Sequence, residues 1–591
     1  MRYKIAKVIL SVNKELEFDY SIEKLKPKLF DLVLVDFRGK PQIGIVVAFS
    51  EKSEAKNIKP ILKIFTEKPI LTKEHFLFAK KLSNFYSYPL GVFLFMMLPD
   101  YIKKIKKKSF SIDIDNKKGK FDLKPIKIFI KRDNFIERYE VIKKYISKNL
   151  ENGSVMICFP NISYLEYAKK IIEKDFNVPI NIFYSRESKL QNFNTWLNSR
   201  KNSIILGTRM AIFYYPYDLQ LLIIEDENNS CYFQEEKPYY NLLNVAFLLA
   251  DLKKINLILS SDYPSLYTYK LIKENKIVLD EAEDKKEINV VGVSYSKEVL
   301  SPLFLDLVKK NISEGEKIAL IFNKKGYAKI AKCLSCGYIV SCNRCSSFLN
   351  IYFEQNIGIC PYCNSKIELP KMCPKCNSGY IKWIGFGIER FKIMLKRLFS
   401  DFKIVSIDEN FKEVDIMLST SKILNRFEYM NKFLGFVYDI DWFISKEDYE
   451  ATFNAYLYIR KLANFFKKTY VFTHMPNYYV FEELLNWKNF YEKELSQRKE
   501  FKLPPYYSIC KIILRGKTEH KVFEKINNLY NKFKDTLEIY GPFKDSPFKL
   551  RGNFRYFLII KSKNPYMLHK IIKEEIFSIR SSNYKVALVI R

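Results

Sequence analysis

Four Cys-x-x-Cys pairs within a short central segment constrain this chain more than any other feature. Eight of its eleven cysteines form the pairs Cys333/Cys336, Cys342/Cys345, Cys360/Cys363 and Cys373/Cys376. Each pair can present two thiolates to one tetrahedral zinc ion, so four pairs suit two four-cysteine sites. Disulfides or an iron–sulfur centre fit this pattern less well. The sequence therefore predicts two Zn²⁺ ions per chain.

The spacing of the pairs predicts how they combine. Five residues separate the first pair from the second, a tight loop for one site, whereas fourteen separate the second from the third. The longer spacing is close to that of a common zinc ribbon. We therefore expect an inner site nested within an outer one. The outer site would use Cys333, Cys336, Cys373 and Cys376, and the inner site Cys342, Cys345, Cys360 and Cys363.

Charge and length narrow the class of protein. With 591 residues, the chain is long enough for about four domains. Lys and Arg number 99 against 66 Asp and Glu, a net charge of +33 that favours a nucleic-acid partner over an anionic membrane surface. A lysine-rich coding bias would explain part of this excess. Because no apolar run approaches the 18 residues of a membrane span, we expect a cytoplasmic, nucleoid-associated protein without membrane contact.

Apolar strand-like segments alternate with helical segments on both sides of the cysteines. The strand-like segments include 154–160, 203–209 and 219–227 before the cysteines, and 402–408 and 434–441 after them. Alternation of this kind is typical of a parallel α/β sheet. The cysteine segment therefore interrupts the second of two α/β regions.

Several further motifs identify a family that the whole chain resembles. They occur in the order expected for bacterial primosomal protein N′, the replication-restart helicase PriA. The matching segments are Phe18–Tyr20, Gly44–Val47, Gly207–Phe213, Phe322–Tyr327, Gly385–Arg390, Arg498–Glu500, Pro504–Tyr506 and Arg551–Tyr556. The eight cysteines contribute most of the specificity of this resemblance.

The resemblance implies a multidomain α/β fold. Two RecA-like lobes would carry a binuclear zinc insert, a small β-rich N-terminal domain and an α+β C-terminal domain. The predicted boundaries are 1–104 for a DNA 3′-end-binding domain, 105–120 for a basic linker in place of the family's winged helix, 121–285 for lobe 1, 286–485 for lobe 2, 331–380 for the zinc insert and 486–591 for a C-terminal DNA-binding domain.

The family's phosphate loop is not preserved here. Such a loop needs glycines whose backbone N–H groups surround the phosphates, a lysine, and a hydroxyl that binds Mg²⁺. The family spacing places it at 132–139, where Arg138 occupies the lysine position, Tyr139 the hydroxyl position, and no glycine remains. Hydrolysis of ATP is therefore not expected, nor is Mg²⁺·ATP expected as a cofactor, while binding of nucleotide without hydrolysis stays open.

Two other catalytic motifs are also altered. The family's acid box corresponds to Glu225, Asp226 and Glu227, which keep carboxylates but lose the histidine that follows. The arginine-finger segment falls on 458–465 and lacks its glycines. Since a finger stabilises charge on the transferred phosphoryl group, its loss argues separately against catalysis. The enzyme question stays open, with an inactive protein favoured.

These observations lead to a prediction of function. We expect a monomeric replication-restart protein that binds forked or branched DNA and recruits primosome proteins, helicase-loading proteins and single-stranded DNA-binding protein, without ATP-driven unwinding. The alternatives are an active 3′→5′ helicase with a divergent site, and a zinc-ribbon adaptor acting on RNA. The predicted DNA contacts are Lys103, Lys104, Lys106, Lys107, Lys108, Arg551 and Arg555.

Overall fold

The computed structural model divides the chain into two compact units. One is chiefly Met1–Ala282 and the other chiefly Glu283–Lys563. The residues it describes are 4–11, 16–22, 24–55, 57–65, 69–102, 125–184, 188–199, 202–284, 286–294, 300–409, 414–425, 430–446, 448–564, 571, 575 and 585–590. Among these residues, no helix combines the length and apolar character needed to cross a bilayer.

The first unit begins with a closed five-stranded barrel. Its strands are β1 (Ile5–Leu10), β2 (Glu17–Ser21), β3 (Leu32–Phe37), β4 (Lys40–Ser50) and β5 (Lys59–Ile64), in the order β1-β2-β5-β3-β4. Buried side chains such as Val8, Val33 and Val46 fill its interior. Closure removes the exposed strand edges that would otherwise pair with other chains.

Two helices connect the barrel to the α/β region that follows. They are α1 (Lys73–Tyr86), whose first turn is capped by the Thr72 side chain, and α2 (Leu90–Met96). The Tyr86 hydroxyl lies 3.2 Å from the backbone oxygen of Asn241, and Lys253 pairs with Glu74 at 2.6 Å. Because the helices share one apolar core with the sheet region, barrel and sheet are fixed together.

The α/β region of the first unit, called lobe 1, is a seven-stranded sheet. Its strand order is β12-β6-β11-β10-β7-β9-β8, and its pairs are parallel. The strands are β6 (Lys127–Lys131), β7 (Ser154–Cys158), β8 (Ile180–Phe183), β9 (Ile204–Gly207), β10 (Leu219–Glu225), β11 (Asn256–Ser261) and β12 (Val278–Glu281). The helices are α3 (Phe135–Leu150), α4 (Ile162–Asp175), α5 (Lys189–Asn198), α6 (Leu242–Lys253) and α7 (Leu266–Lys273), with 3₁₀ turns at Arg209–Tyr214 and Ser230–Tyr232. Strand β10 is buried along its whole length, as expected for a central parallel strand.

The second unit contains lobe 2, a six-stranded parallel sheet. Its order is β13-β24-β23-β14-β22-β21. The strands are β13 (Ile288–Gly292), β14 (Lys317–Ile321), β21 (Ile404–Ser406), β22 (Ile416–Ser419), β23 (Met430–Val437) and β24 (Phe466–Thr473). The helices are α8 (Pro302–Ser313), α9 (Ile388–Leu398), α10 (Asp441–Ile444), α11 (Ala451–Ala463) and α12 (Tyr479–Glu482), with a 3₁₀ turn at Ser421–Asn425.

The cysteine-rich insert lies between β14 and α9. It forms two three-stranded sheets, ordered β16-β15-β20 and β17-β18-β19. Their strands are β15 (Ile330–Cys333), β16 (Ile339–Val340), β17 (Asn350–Tyr352), β18 (Ile357–Ile359), β19 (Lys366–Glu368) and β20 (Ile381–Ile384). Antiparallel pairing of β15 with β20 places Cys333 opposite Ile381 and brings the two ends of the insert together.

Helix α13 (Trp487–Glu500) leads into the C-terminal region. This region comprises β25 (Ser508–Gly516), α14 (Glu519–Phe533), β26 (Glu538–Leu550), β27 (Asn553–Ser562) and β28 (Lys585–Ile590), with the sheet order β26-β27-β25-β28. Helix α14 covers one face of the sheet with Val522, Ile526, Leu529 and Phe533. The predicted multidomain α/β fold class is confirmed.

Candidate functional site

All four Cys-x-x-Cys pairs adopt the same local fold. In each, the carbonyl of the first cysteine accepts a hydrogen bond from the N–H of the residue after the second cysteine. These residues are Gly337, Ser346, Asn364 and Asn377, with bond lengths of 3.0, 2.7, 3.0 and 2.9 Å. Their φ angles are 75°, 52°, 57° and 54°, in the left-handed region that Gly and Asn tolerate best. The residue types at these turns therefore favour a backbone conformation in which the two cysteines of a pair can bind the same metal ion.

The structure brings the eight cysteines together in the predicted nested arrangement. One cluster contains Cys333, Cys336, Cys373 and Cys376, and the other Cys342, Cys345, Cys360 and Cys363, with ligand atoms within 4.8 Å of one another. Sulfur–sulfur distances of 3.6 Å join Cys333 to Cys376, Cys336 to Cys373 and Cys342 to Cys363.

These distances fit a four-sulfur metal site. Four sulfurs at about 2.3 Å from a tetrahedral Zn²⁺ lie about 3.8 Å apart, close to the observed separation and far longer than a disulfide. Hydrogen bonds from the backbone at Cys336 and from the Ser365 hydroxyl lower the pKa of Cys333 and Cys363, each to about 6, whereas burial raises the pKa of Cys342 and Cys345. Because the thiolate is the form that binds metal, both clusters could hold a metal ion.

The inner cluster also contacts the C-terminal region. In the turn between β26 and β27, the backbone N–H of Arg551 donates a hydrogen bond to the sulfur of Cys345. The N–H of Gly552 in the same turn donates to the Arg344 carbonyl at 3.1 Å. Leu550 packs against the apolar core of the insert. Arg551, predicted to contact DNA, therefore lies beside the inner cluster with an exposed side chain.

The other predicted DNA contacts have different positions. The Arg555 guanidinium pairs with Asp545, whose second oxygen accepts from Lys511 at 2.7 Å. Arg555 is therefore partly neutralised within its own domain. The run Lys103–Lys108 lies outside the described residues.

The junction between β6 and α3 has no phosphate-binding cradle. Only three residues, 132–134, separate the strand from the helix, and the Asn134 side chain accepts from the Glu137 N–H at 2.9 Å. Asn134 therefore takes up one of the N–H groups at the helix end that would otherwise be available to an anion. Arg138 consequently lies inside the first turns of α3.

Arg138 is bound to the first residue of the acid box. Its Nε donates to Glu225 Oε1 at 2.7 Å and its Nη2 lies 2.6 Å from the same oxygen. The remaining nitrogen donates to the Arg132 carbonyl at 2.8 Å. Both side chains are buried, and the Glu225 charge keeps the pKa of Arg138 well above its usual range despite desolvation.

Tyr164 and Ser260 complete this cluster, although no sequence motif identifies either residue. The Tyr164 hydroxyl accepts from Arg138 at 2.8 Å and donates to Glu225 Oε1 at 2.6 Å, while Ser260 Oγ donates to Oε2 at 2.5 Å. Ser260 lies on β11 next to Glu225 on β10. Because functional residues often lie at the carboxyl edge of parallel strands, this position could have been predicted from the sequence. No such pattern indicates Tyr164, which lies on α4.

The other predicted nucleotide-site residues also have partners. The Tyr139 hydroxyl donates to Asp175 at 2.8 Å, and Asp226 accepts from Ser261 at 3.2 Å and Asn229 at 2.6 Å. Glu227 accepts from the Ser265 N–H at 2.5 Å, but its Oε2 has no partner within the described ranges. Burial raises the pKa of Glu227 to about 7.

The arginine of the predicted finger segment lies within lobe 2. Arg460 is 1% exposed, pairs with Asp284, and donates to the Leu484 carbonyl at 2.6 Å. A guanidinium committed in this way has a structural role in its own unit.

Comparisons with known proteins match both ends and most of the length of the chain. The family model described as the 3′ DNA-binding domain of PriA matches residues 7–99, and that of the primosomal protein N C-terminal domain matches 499–590. The replication restart protein PriA of Borreliella burgdorferi is 27% identical over 91% of this chain and 90% of its own length. The predicted resemblance to PriA is confirmed.

A second PriA relative extends the match further. The replication restart protein PriA of Rickettsia conorii is 26% identical over 96% of each chain. Among solved structures, RecG bound to a three-way DNA junction aligns with 68% of this chain and 47% of that chain, at a TM-score of 0.35 and 10% identity. The resemblance to PriA therefore rests on sequence similarity.

Proposed function

We propose that this chain is a replication-restart protein that binds forked or branched DNA and does not unwind it with ATP. Similarity to PriA over nearly the whole length, together with a match to a 3′ DNA-binding domain, supports the role in restart. The net charge of +33 supports binding to a polyanion. Its partners would be primosome and helicase-loading proteins and single-stranded DNA-binding protein, for a monomer acting at the nucleoid in the cytoplasm.

The ion pair between Arg138 and Glu225 is the main observation supporting the proposal that this chain does not unwind DNA with ATP. In a phosphoryl-transfer site, a carboxylate at this place helps to hold Mg²⁺, and a cation at the loop binds the β- and γ-phosphates. Here the two charges neutralise each other, and both oxygens of Glu225 accept hydrogen bonds from the protein. Binding Mg²⁺·ATP would require this buried pair to open before either charge could take a new partner.

Two independent features support the same conclusion. Asn134 caps the α3 N-terminus, and Arg460 is held by Asp284 within lobe 2. Because positioning and charge stabilisation provide almost all of phosphoryl-transfer catalysis, losing both leaves little for an ATPase to use. The lobes then serve as a scaffold that positions the DNA-binding domains and the insert.

We further propose that both cysteine clusters hold Zn²⁺ and have a structural role. A site with four protein ligands leaves no open position for substrate, so the ions would stabilise the fold of the insert. The inner ion would also stabilise the docking of the Arg551 turn, because Cys345 accepts a hydrogen bond from that turn.

Competition binding tests the proposed substrate. The full chain is titrated with a labelled DNA fork, and unlabelled forked DNA, duplex DNA and hairpin RNA compete for it. The proposal predicts that forked DNA competes best. Equal or stronger competition by the RNA hairpin would contradict it and favour an RNA adaptor.

A further inference from the structure

The C-terminal region presents one sheet face that α14 does not cover. Along β25, buried residues Cys510, Ile512 and Leu514 point toward α14. The intervening residues point to the opposite face, since side chains alternate along a strand. This opposite face, called the open face, contains Ile509, Lys511, Ile513 and Arg515 on β25, Arg555, Phe557, Ile559 and Lys561 on β27, and Glu538, Tyr540, Phe543 and Asp545 on β26.

Two aromatic rings of the open face are exposed to an unusual degree. Tyr540 is 42% and Phe543 45% exposed, and both lie on β26, at the edge of the sheet. Phe557 backs Phe543 with its ring centroid at 5.4 Å. Their cross-strand partners on β27, Ile559 and Phe557, are two residues apart, so the exposed rings are spaced by roughly 7 Å along the strand.

The charges of the open face favour an anionic ligand. Four cations, Lys511, Arg515, Arg555 and Lys561, face two carboxylates, Asp545 and Glu538. Asp545 forms ion pairs with both Lys511 and Arg555. Glu538 forms an ion pair at 3.1 Å with Lys502, a residue that is not part of the open face. Lys561 donates to the Phe501 carbonyl at 2.9 Å, and its ammonium lies 5.5 Å from the centre of the Tyr540 ring. The open face therefore carries more cations than carboxylates, and this excess of positive charge lies next to the two exposed rings.

We propose that the open face binds single-stranded DNA, with bases stacked on Tyr540 and Phe543 and phosphates attracted by Lys511, Arg515 and Lys561. This proposal rests on the proposed function, and it identifies a site for one strand of the fork. Four-stranded sheets with exposed aromatic rings and flanking cations are a recurring platform for single strands. Stacking recognises the flat surface of a base, so no sequence preference is expected.

The spacing of the rings selects a single strand over a duplex. Stacked bases in B-DNA lie about 3.4 Å apart and their flat surfaces are hidden. Rings about 7 Å apart can accept neighbouring bases only when those bases are separated from each other. An apolar protein segment would cover the rings but would leave the excess positive charge around them without an anionic ligand.

Removing the two exposed rings from the full chain tests the proposal. Binding to a fluorescein-labelled oligo(dT) of about 16 nucleotides is followed by anisotropy. Tyr540→Ala and Phe543→Ala should each weaken binding about tenfold and the double variant more, because each removes one stacked base. Tyr540→Trp and Phe543→Trp should keep the affinity within about threefold, since an indole also stacks.

Phe523→Ala is the matched control. This ring is 43% exposed but lies on α14, at the covered side of the sheet, where it packs on Tyr556 with centroids 5.3 Å apart. Its loss should change oligo(dT) affinity by less than about twofold. A double variant that binds oligo(dT) as wild type does, or that loses duplex affinity equally, would overturn the stacking site. Tighter binding of oligo(U) than of oligo(dT) by the wild type would overturn the assignment to DNA.

The failure of this inference and that of the proposed function give different results. If the wild type binds forked DNA and the ring variants lose nothing on oligo(dT), the open face is not the site and the restart function stands. If the wild type binds neither forked DNA nor oligo(dT), the proposed function itself fails.

Discussion

Replacing Arg138 with alanine should destabilise lobe 1 strongly. The guanidinium makes four contacts of 2.6–2.8 Å, two with Glu225 and one each with Tyr164 and the Arg132 carbonyl. Its removal leaves a buried carboxylate without a counter-ion, which costs about 3–5 kcal/mol. Hydrogen exchange of α3 and β10 reports this local loss, and opening should become roughly 150- to 5,000-fold more frequent.

A double-mutant cycle separates the ion pair from packing. Arg138→Met/Glu225→Leu replaces both charges with apolar groups and should be less destabilised than either single variant, with a coupling energy of about 2 kcal/mol or more. Lys143→Ala is the control on the same helix, because its pair with Asp175 is solvent-exposed and should matter little. Exchange in Arg138→Ala that matches Lys143→Ala would refute the role given to this pair.

Three further predictions follow from the clusters, the charge and Glu227. Metal analysis should find two Zn²⁺ in the wild type but about one in Cys345→Ser, which removes a ligand of the inner cluster. Cys231→Ser is the control and should keep two ions, because Cys231 lies outside both clusters. Two ions in Cys345→Ser would contradict the inner site. The affinity for forked DNA should fall linearly on a log–log salt plot with a slope near −0.9 per phosphate contacted, and a flat plot would contradict phosphate binding. The folded-state pKa of Glu227 is raised to about 7 from 4.5, so its contribution to stability is lost as pH rises from 4.5 to about 7. Glu227→Gln should therefore match the wild type near pH 4.5 and become more stable by up to about 3 kcal/mol above pH 7 in thermal melts, whereas a gain independent of pH would contradict this assignment.

The cysteine clusters show what local sequence can predict. Each pair lies within four residues and each turn within five, so spacing alone predicted the metal ligands. The lengths of the loops between the pairs predicted that one site is nested within the other. The docking of Gly552 on Arg344 could not be read in this way, because these residues are more than 200 positions apart and only the folded sheet brings them together.

The Arg138 region, where the family's nucleotide site would lie, shows the same limit of sequence-based prediction. The sequence showed that 132–139 lacks the glycines of a phosphate loop, because backbone chemistry dictates them locally. It did not show that Arg138 neutralises Glu225, 87 positions away, since that contact depends on the order of strands in the sheet. Likewise, the sequence predicts that Arg555 contacts DNA, whereas in the folded chain Arg555 forms an ion pair with Asp545.

ATP turnover in the presence of forked DNA tests the central claim most directly. The full chain is assayed for phosphate release with Mg²⁺·ATP, with and without saturating fork. Because Arg138 and Glu225 neutralise each other and Arg460 is held within lobe 2, we predict no release above the protein-free background in either condition. Fork-stimulated phosphate release by the wild type that disappears in Arg138→Ala or Glu227→Gln would contradict the account.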